Sequence, residues 1–277
     1  MNASLRVGDR EFNIDLASPI SLAIDIDFRD ARQPRHFGAP PASSRPFAVP
    51  GFSGAVETGA SCNCNTLTLI PHCNGTHTEC VGHLTRDPLD AYRIVPLGFL
   101  SALLLSIAPT DAQTAKQETT DPAPQRDDKL ITREALERAW TKAVTSQPLA
   151  TPPRALIIRT LPNTPDKRHQ DYTGRTPPYL TREAAQLLVE RGIEHLVVDL
   201  PSIDRSHDEG RLTAHRIFFG LPRGSTALAQ ATRANATVTE LAYVADHLSD
   251  GPYLLELQVP ALGGDAVPSR PLIYRLT

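Results

Sequence analysis

A chain of 277 residues can bury a substantial core without disulfide staples. A formal net charge of −3 and the lack of any long basic run argue against nucleic acid or an anionic membrane as partner. The most apolar stretch, 94–109, is too short and too interrupted by proline to span a bilayer, and 1–16 lacks the basic start and apolar core of a signal peptide.

A cytoplasmic protein with reduced cysteines is therefore expected. Residues 12–28, FNIDLASPISLAIDIDF, alternate in polarity, which predicts two strands divided at Ser18-Pro19. The segment 29–52 holds five prolines and cannot form a helix or a central strand; a loop of that length is expected to be a lid, a binding loop or an exposed insertion. Strands are predicted at 66–71, 92–97 and 101–107, the last buried on both faces, and the polar stretch 111–129 reads as a second surface insertion. Then the rhythm changes. Helices over 131–144 and 180–192 each follow a threonine cap, with strands at 155–160 and 193–200, so a βαβ crossover is expected. Two strands, 253–260 and 271–277, close the chain. The expected class is α/β with a mixed sheet, in one domain over 1–277.

The chemistry gathers in PHCNGTHTECVGH, residues 71–83. Asn, Gly and Thr disfavour a helix there. In an extended chain Cys73, His77, Glu79 and His83 share one face, with Gly75 leaving space between the first two. Thiolate, imidazole and carboxylate together suit zinc, with iron or manganese less favoured. Such a site needs further ligands from elsewhere and can keep a position open for water. His72 falls outside the alternation; a bulge would let it replace Cys73, but only Cys73 keeps the period. Cys62 and Cys64 are expected to be small buried residues. His215 reads by itself as a helix-face histidine and Glu240 as a glutamate in the first turn of a helix.

CNGTHTECVGH resembles the H-x-G-T-H-x-D-x-P-x-H signature of the cyclase-like metal-dependent hydrolases, the group of bacterial kynurenine formamidase and isatin hydrolase. Gly75, Thr76, His77 and His83 match it; Cys73 stands for its first histidine, Glu79 for its aspartate and Val81 for its proline. IDLASPI at 14–20, LIIRT at 156–160, VVDLPSIDRSHDEGRLTAHRIFF at 197–219 and TVTELAYVADHL at 237–248 are similar to later landmarks of the group, in order. The resemblance implies a swivelling β/β/α fold, a homodimer and one or two divalent ions, zinc or manganese. It also implies a ligand set of Cys73, His77, Glu79, His215 and Glu240, with His83 as proton shuttle. The implied substrate is a small aromatic amide, an aryl formamide such as N-formylkynurenine first. A lactone or cyclic imide, or binding without turnover, are the alternatives.

Overall fold

The computed structural model describes residues 2–115 and 117–277. A nine-stranded mixed sheet organises it, running Ala266–Pro268, His77–Cys80, Thr237–Glu240, His195–Val198, Ala155–Thr160, Phe99–Ile107, Gly251–Gln258, Arg270–Arg275 and Ile20–Ser21. The four strands from Thr237–Glu240 to Phe99–Ile107 are mutually parallel, and those outside them pair antiparallel.

The apolar runs in these strands follow from burial on both sides. Leu103, Leu105, Leu156, Ile158, Leu196 and Val198 face one core, which the helices Arg133–Ser146, Arg182–Glu190 and Thr213–Phe219 complete with Leu136, Leu188, Phe218 and Phe219. Leu104, Ala155, Ile157 and Val197 face the other, against Leu255 and Ile273. No helix among the described residues is long and apolar enough to cross a membrane.

The first two long helices begin where their caps predict, with Thr132 and Thr181 accepting from Ala135 N–H and Ala184 N–H. Other expectations change. The 92–97 stretch is no strand: Ala91–Ile94 forms one helical turn, held where Ala91 N–H donates to the Gly264 carbonyl at 2.7 Å. The predicted 12–28 pair becomes a hairpin of Asn2–Val7 with Arg10–Asp15, followed past Pro19 by the short Ile20–Ser21. The 66–71 strand shortens to Asn65–Thr68 and pairs with Ser43–Pro46, so 29–52 carries a hairpin arm outside the main sheet. Cys62 and Cys64 lie on that arm and are exposed, because no layer covers it. The 111–129 segment is tethered. Glu118 accepts from Arg133 N–H at 2.7 Å and the Thr181 hydroxyl at 2.6 Å, spanning the starts of both helices, and Asp128 is buried against Arg205 and Tyr179.

Candidate metal centre

The strand His77–Cys80 supplies the floor. His77 and Glu79 stand two residues apart on one face, while Thr78 on the other bonds Thr239 at 2.7 Å. Register sets Glu240 directly across from His77 and Val238 across from Glu79, so Glu240 joins the same face. That face is the one the Thr213–Phe219 helix covers, and the helix lowers His215 onto it. Glu240 thus ends a strand, not the first turn of a helix, and proximity to His77 comes from pairing.

Gly75 precedes this floor at φ +71°, and a Cβ there would meet Ile26 Cδ1 at 2.6 Å, so any other residue would be strained and would have to displace Ile26. Its carbonyl takes the Nδ1–H of His77 at 3.0 Å, which turns the lone pair of Nε2 inward. Asp204 does the same for His215: it accepts from Nδ1 at 2.7 Å and from the backbone N–H groups of Ala214 and His215 at 2.7 and 3.0 Å. Ser202 accepts from Asp204 N–H at 3.1 Å, whereas Asp199 is turned away, bound to Lys167 and Thr160.

Glu79 reaches two ways. Its Oε1 is 2.8 Å from His215 Nε2 and its Oε2 2.8 Å from His72 Nδ1; Glu240 lies 3.4 Å from His77 Nε2 and 3.5 Å from His215 Nε2. His77 Nε2, Glu79 Oε1 and His215 Nε2 are three of the seven buried side-chain nitrogens and oxygens without a hydrogen-bond partner among the described residues. The 2.8 Å approach of His215 to Glu79 does not remove that deficit. With the Nδ1 proton given to Asp204, the two facing atoms are both acceptors, and only a cation between them or a second ring proton reconciles them. The donors converge in three groups, His72 with His83 and Asp265, His72 with His77 and Glu79, and Glu79 with His215 and Glu240, each within 4.8 Å. Buried imidazole lone pairs and carboxylates are the donor set of a divalent metal, so these residues fit the ion that the sequence implies.

The electrostatics agree. Burial opposes ionisation of Glu79, yet the charges of His215 and His83 and the approach of His72 hold its carboxyl well below the usual range. Glu240 is also held down, by His215 and His77 against burial and the charge of Glu79. Burial likewise opposes protonation of His72, but Asp265 and Glu79 raise it to about 10, and His215 is raised well above the ordinary histidine value. A buried excess of carboxylate favours positive charge of any kind at this point.

Not every expected residue joins. The strand ends at Cys80, and His83 comes instead from the single turn Val81–Leu84, its ring centroid 4.2 Å from that of His72 and 5.9 Å from that of His215. Cys73 sits half-buried in the turn before the strand, outside every convergent group among the described residues, while its neighbour His72 is inside two. Asp265, which no spacing signals, accepts from His72 Nε2 at 2.7 Å across a sequence separation of 193. Above the residues opens a cleft of about 710 Å³, walled by Phe37 from the proline-rich segment and by Ser202, Ser206, His207 and Leu212.

A family model described as "Putative cyclase" matches residues 14–205. Among solved structures, one described as a predicted metal-dependent hydrolase from Bacillus stearothermophilus is 14% identical over 93% of this chain and 98% of its own, with a TM-score of 0.56. An isatin hydrolase bound to the product analogue thioisatinate is 14% identical over 94% of this chain and 92% of its own, at 0.57. Isatin hydrolase A from Ralstonia solanacearum is 16% identical over 93% and 91%, at 0.55. Comparison with curated protein sequences gives no significant match. At such identities the structures establish a shared fold.

Proposed function

The chain belongs to the cyclase family, and from that premise we propose that it is a metal-dependent hydrolase of small amides, opening a neutral cyclic amide in preference to cleaving an aryl formamide. One observation carries the reading: His77, Glu79, His215 and Glu240 turn buried, partly unpartnered donor atoms toward one another. A divalent ion held by them, zinc or manganese, would polarise a carbonyl and make water more acidic.

The chain's own groups do the rest. His83 lines the cleft, with Nδ1 3.4 Å from Asp265 Oδ2, so Nε2 is the nitrogen that takes a proton from water and returns it to the leaving nitrogen. Asp204 and the Gly75 carbonyl fix the tautomers of His215 and His77. Leu212, Pro201 and Phe37 give the cleft an apolar wall for a flat ring.

The cleft also bears on the substrate. Its described lining holds Glu79, Asp208, Glu209 and Glu240 but no lysine or arginine. N-formylkynurenine carries an α-carboxylate that such a wall leaves unpaired. A neutral lactam suits it better, in keeping with the isatin hydrolases among the structural relatives. The four free cysteines suit a reducing cytoplasm.

The test is turnover of isatin and of N-formylkynurenine by chelated and zinc- or manganese-reloaded protein. Ring opening that is lost on chelation, restored by metal and faster than deformylation is expected. Reloaded protein that turns over neither substrate would defeat the proposal. His83→Ala should keep the metal and lose turnover by about 10²–10⁴-fold; loss of metal in proportion to turnover would remove its role as shuttle.

A further inference from the structure

We propose that His72, drawn in from a turn one residue ahead of the signature position, serves as the third histidine of the centre in place of Cys73, and that Asp265 is the positioning residue for both His72 and His83. The inference rests on the metal-centre reading above and names its remaining first-contact side chain.

Backbone geometry makes the exchange. Alternation would bring Cys73 beside His77 only if the chain were extended from 73 onward, but the strand begins at His77. Before it the chain turns: the Ile70 carbonyl accepts from Cys73 N–H and Asn74 N–H, both at 2.9 Å, and the Asn74 side chain accepts from Ile70 N–H at 2.8 Å. A closed turn has no period of two, so the residue presented to the strand's face shifts by one. His72 then reaches Glu79 Oε2 at 2.8 Å through Nδ1, with its ring centroid 5.6 Å from that of His77. The Cys73 sulfur is part of no convergent group among the described residues.

The two nitrogens of His72 divide the work. Nδ1 faces the centre, and Nε2 donates to Asp265 Oδ2 at 2.7 Å, which is how a carboxylate sets the tautomer and the angle of a metal-binding imidazole. The same oxygen is 3.4 Å from His83 Nδ1, and the two rings lie 4.2 Å apart with planes tilted by 33°. One carboxylate therefore orients the ligand and the proton carrier together. Asp265 is itself pinned by the sheet: its carbonyl accepts from Cys80 N–H at 3.0 Å, and the next residue, Ala266, pairs with Glu79.

Cobalt(II) titration of the metal-depleted full chain tests this. The wild type should bind cobalt with ligand-field bands and no thiolate-to-cobalt charge-transfer band in the near ultraviolet. Cys73→Ser should leave spectrum and affinity unchanged. His72→Ala should weaken binding by at least about 100-fold, and Asp265→Asn by about 10–100-fold, with kcat reduced at constant KM and partial recovery in Asp265→Glu. Should His72→Ala fail to fold by circular dichroism, the wild-type spectrum and the Asp265 pair still decide the matter. A charge-transfer band that vanishes in Cys73→Ser would place the thiolate in the centre and overturn the proposal. Unchanged cobalt affinity in Asp265→Asn would remove that residue's role. Cobalt bound as expected without turnover of any amide would sink the hydrolase reading alone; a wild type that binds no cobalt sinks both.

Discussion

Replacing Asp204 by asparagine tests how the chain aims His215. The carboxylate is buried and accepts three hydrogen bonds, two from backbone N–H groups at the start of the Thr213–Phe219 helix and one from the imidazole. Asparagine has one acceptor oxygen and an NH₂ group that cannot accept, so in either orientation at least one donor is stranded in the interior. A stranded buried donor costs about 1–3 kcal/mol, and the bonds that survive lose the extra strength a charged acceptor gives. A total near 2–4 kcal/mol corresponds to a Tm lower by about 3–7 °C in a chain of this size. Metal affinity should fall separately, because the Nδ1 proton is no longer held; a lost partner of this kind typically weakens binding by about 10–100-fold. The assay is competition against a chelator of known affinity, well below the unfolding transition, beside thermal melts of the chelated protein. Lower stability with unchanged metal affinity would mean that His215 braces the helix and holds no ion. No change in either would refute the hydrogen-bond reasoning itself.

Three further outcomes are expected. Burial pushes His195 down to about 4, against about 6.5 in an unfolded chain; the unfolded state takes up the proton first, so stability is full above about pH 6.5 and falls as the pH drops toward about 4. At pH 5 that loss is about 2 kcal/mol, and urea titrations of His195→Gln should show a shallower acid slope; an identical slope would clear His195 of the effect. Phe37→Ala should raise KM for an aromatic lactam with kcat preserved, since Phe37 stands at the cleft wall, and unchanged kinetics would leave 29–52 a plain insertion. Six of the eleven exposed large hydrophobic residues among the described residues, from Phe47 to Ile70, lie on or beside the hairpin arm, so we expect a homodimer that buries them; light scattering that reports a monomer at micromolar concentration would refute it.

Much of the scaffold was legible because its signals are local. Thr132 and Thr181 announce their helices, and the apolar runs at 101–107, 155–160 and 193–200 can only be strands covered on both sides. Tyr92–Leu97 misled because a short apolar run does not distinguish strand from turn, and the contact that decides it comes from Gly264. Within the centre, His77, Glu79 and Glu240 share a face through strand geometry, which alternation reveals in part; the cross-strand register does not show in a single segment. The alternation stops short of the expected stretch at both ends. The strand is four residues long, so Cys73 and His83 lie beyond it, on turns. Asp265 was invisible, since an aspartate in GGDAVPSR gives no hint of the two histidines it joins.

The bond between His72 and Asp265 has a consequence for the order of events during synthesis. Its partners are 193 residues apart, and Ala266–Pro268, the edge strand beside Glu79, follows Asp265 directly. A nascent chain can assemble the parallel strands and their helices, and even set His77 across from Glu240, before this segment leaves the ribosome. Until then Glu79 has an open sheet edge on one side, and His72 lacks the acceptor that orients it. The centre is therefore finished late, with only the strand Arg270–Arg275 still to come, and chains truncated just before Gly264 would carry the parallel strands and a loose, weakly binding site.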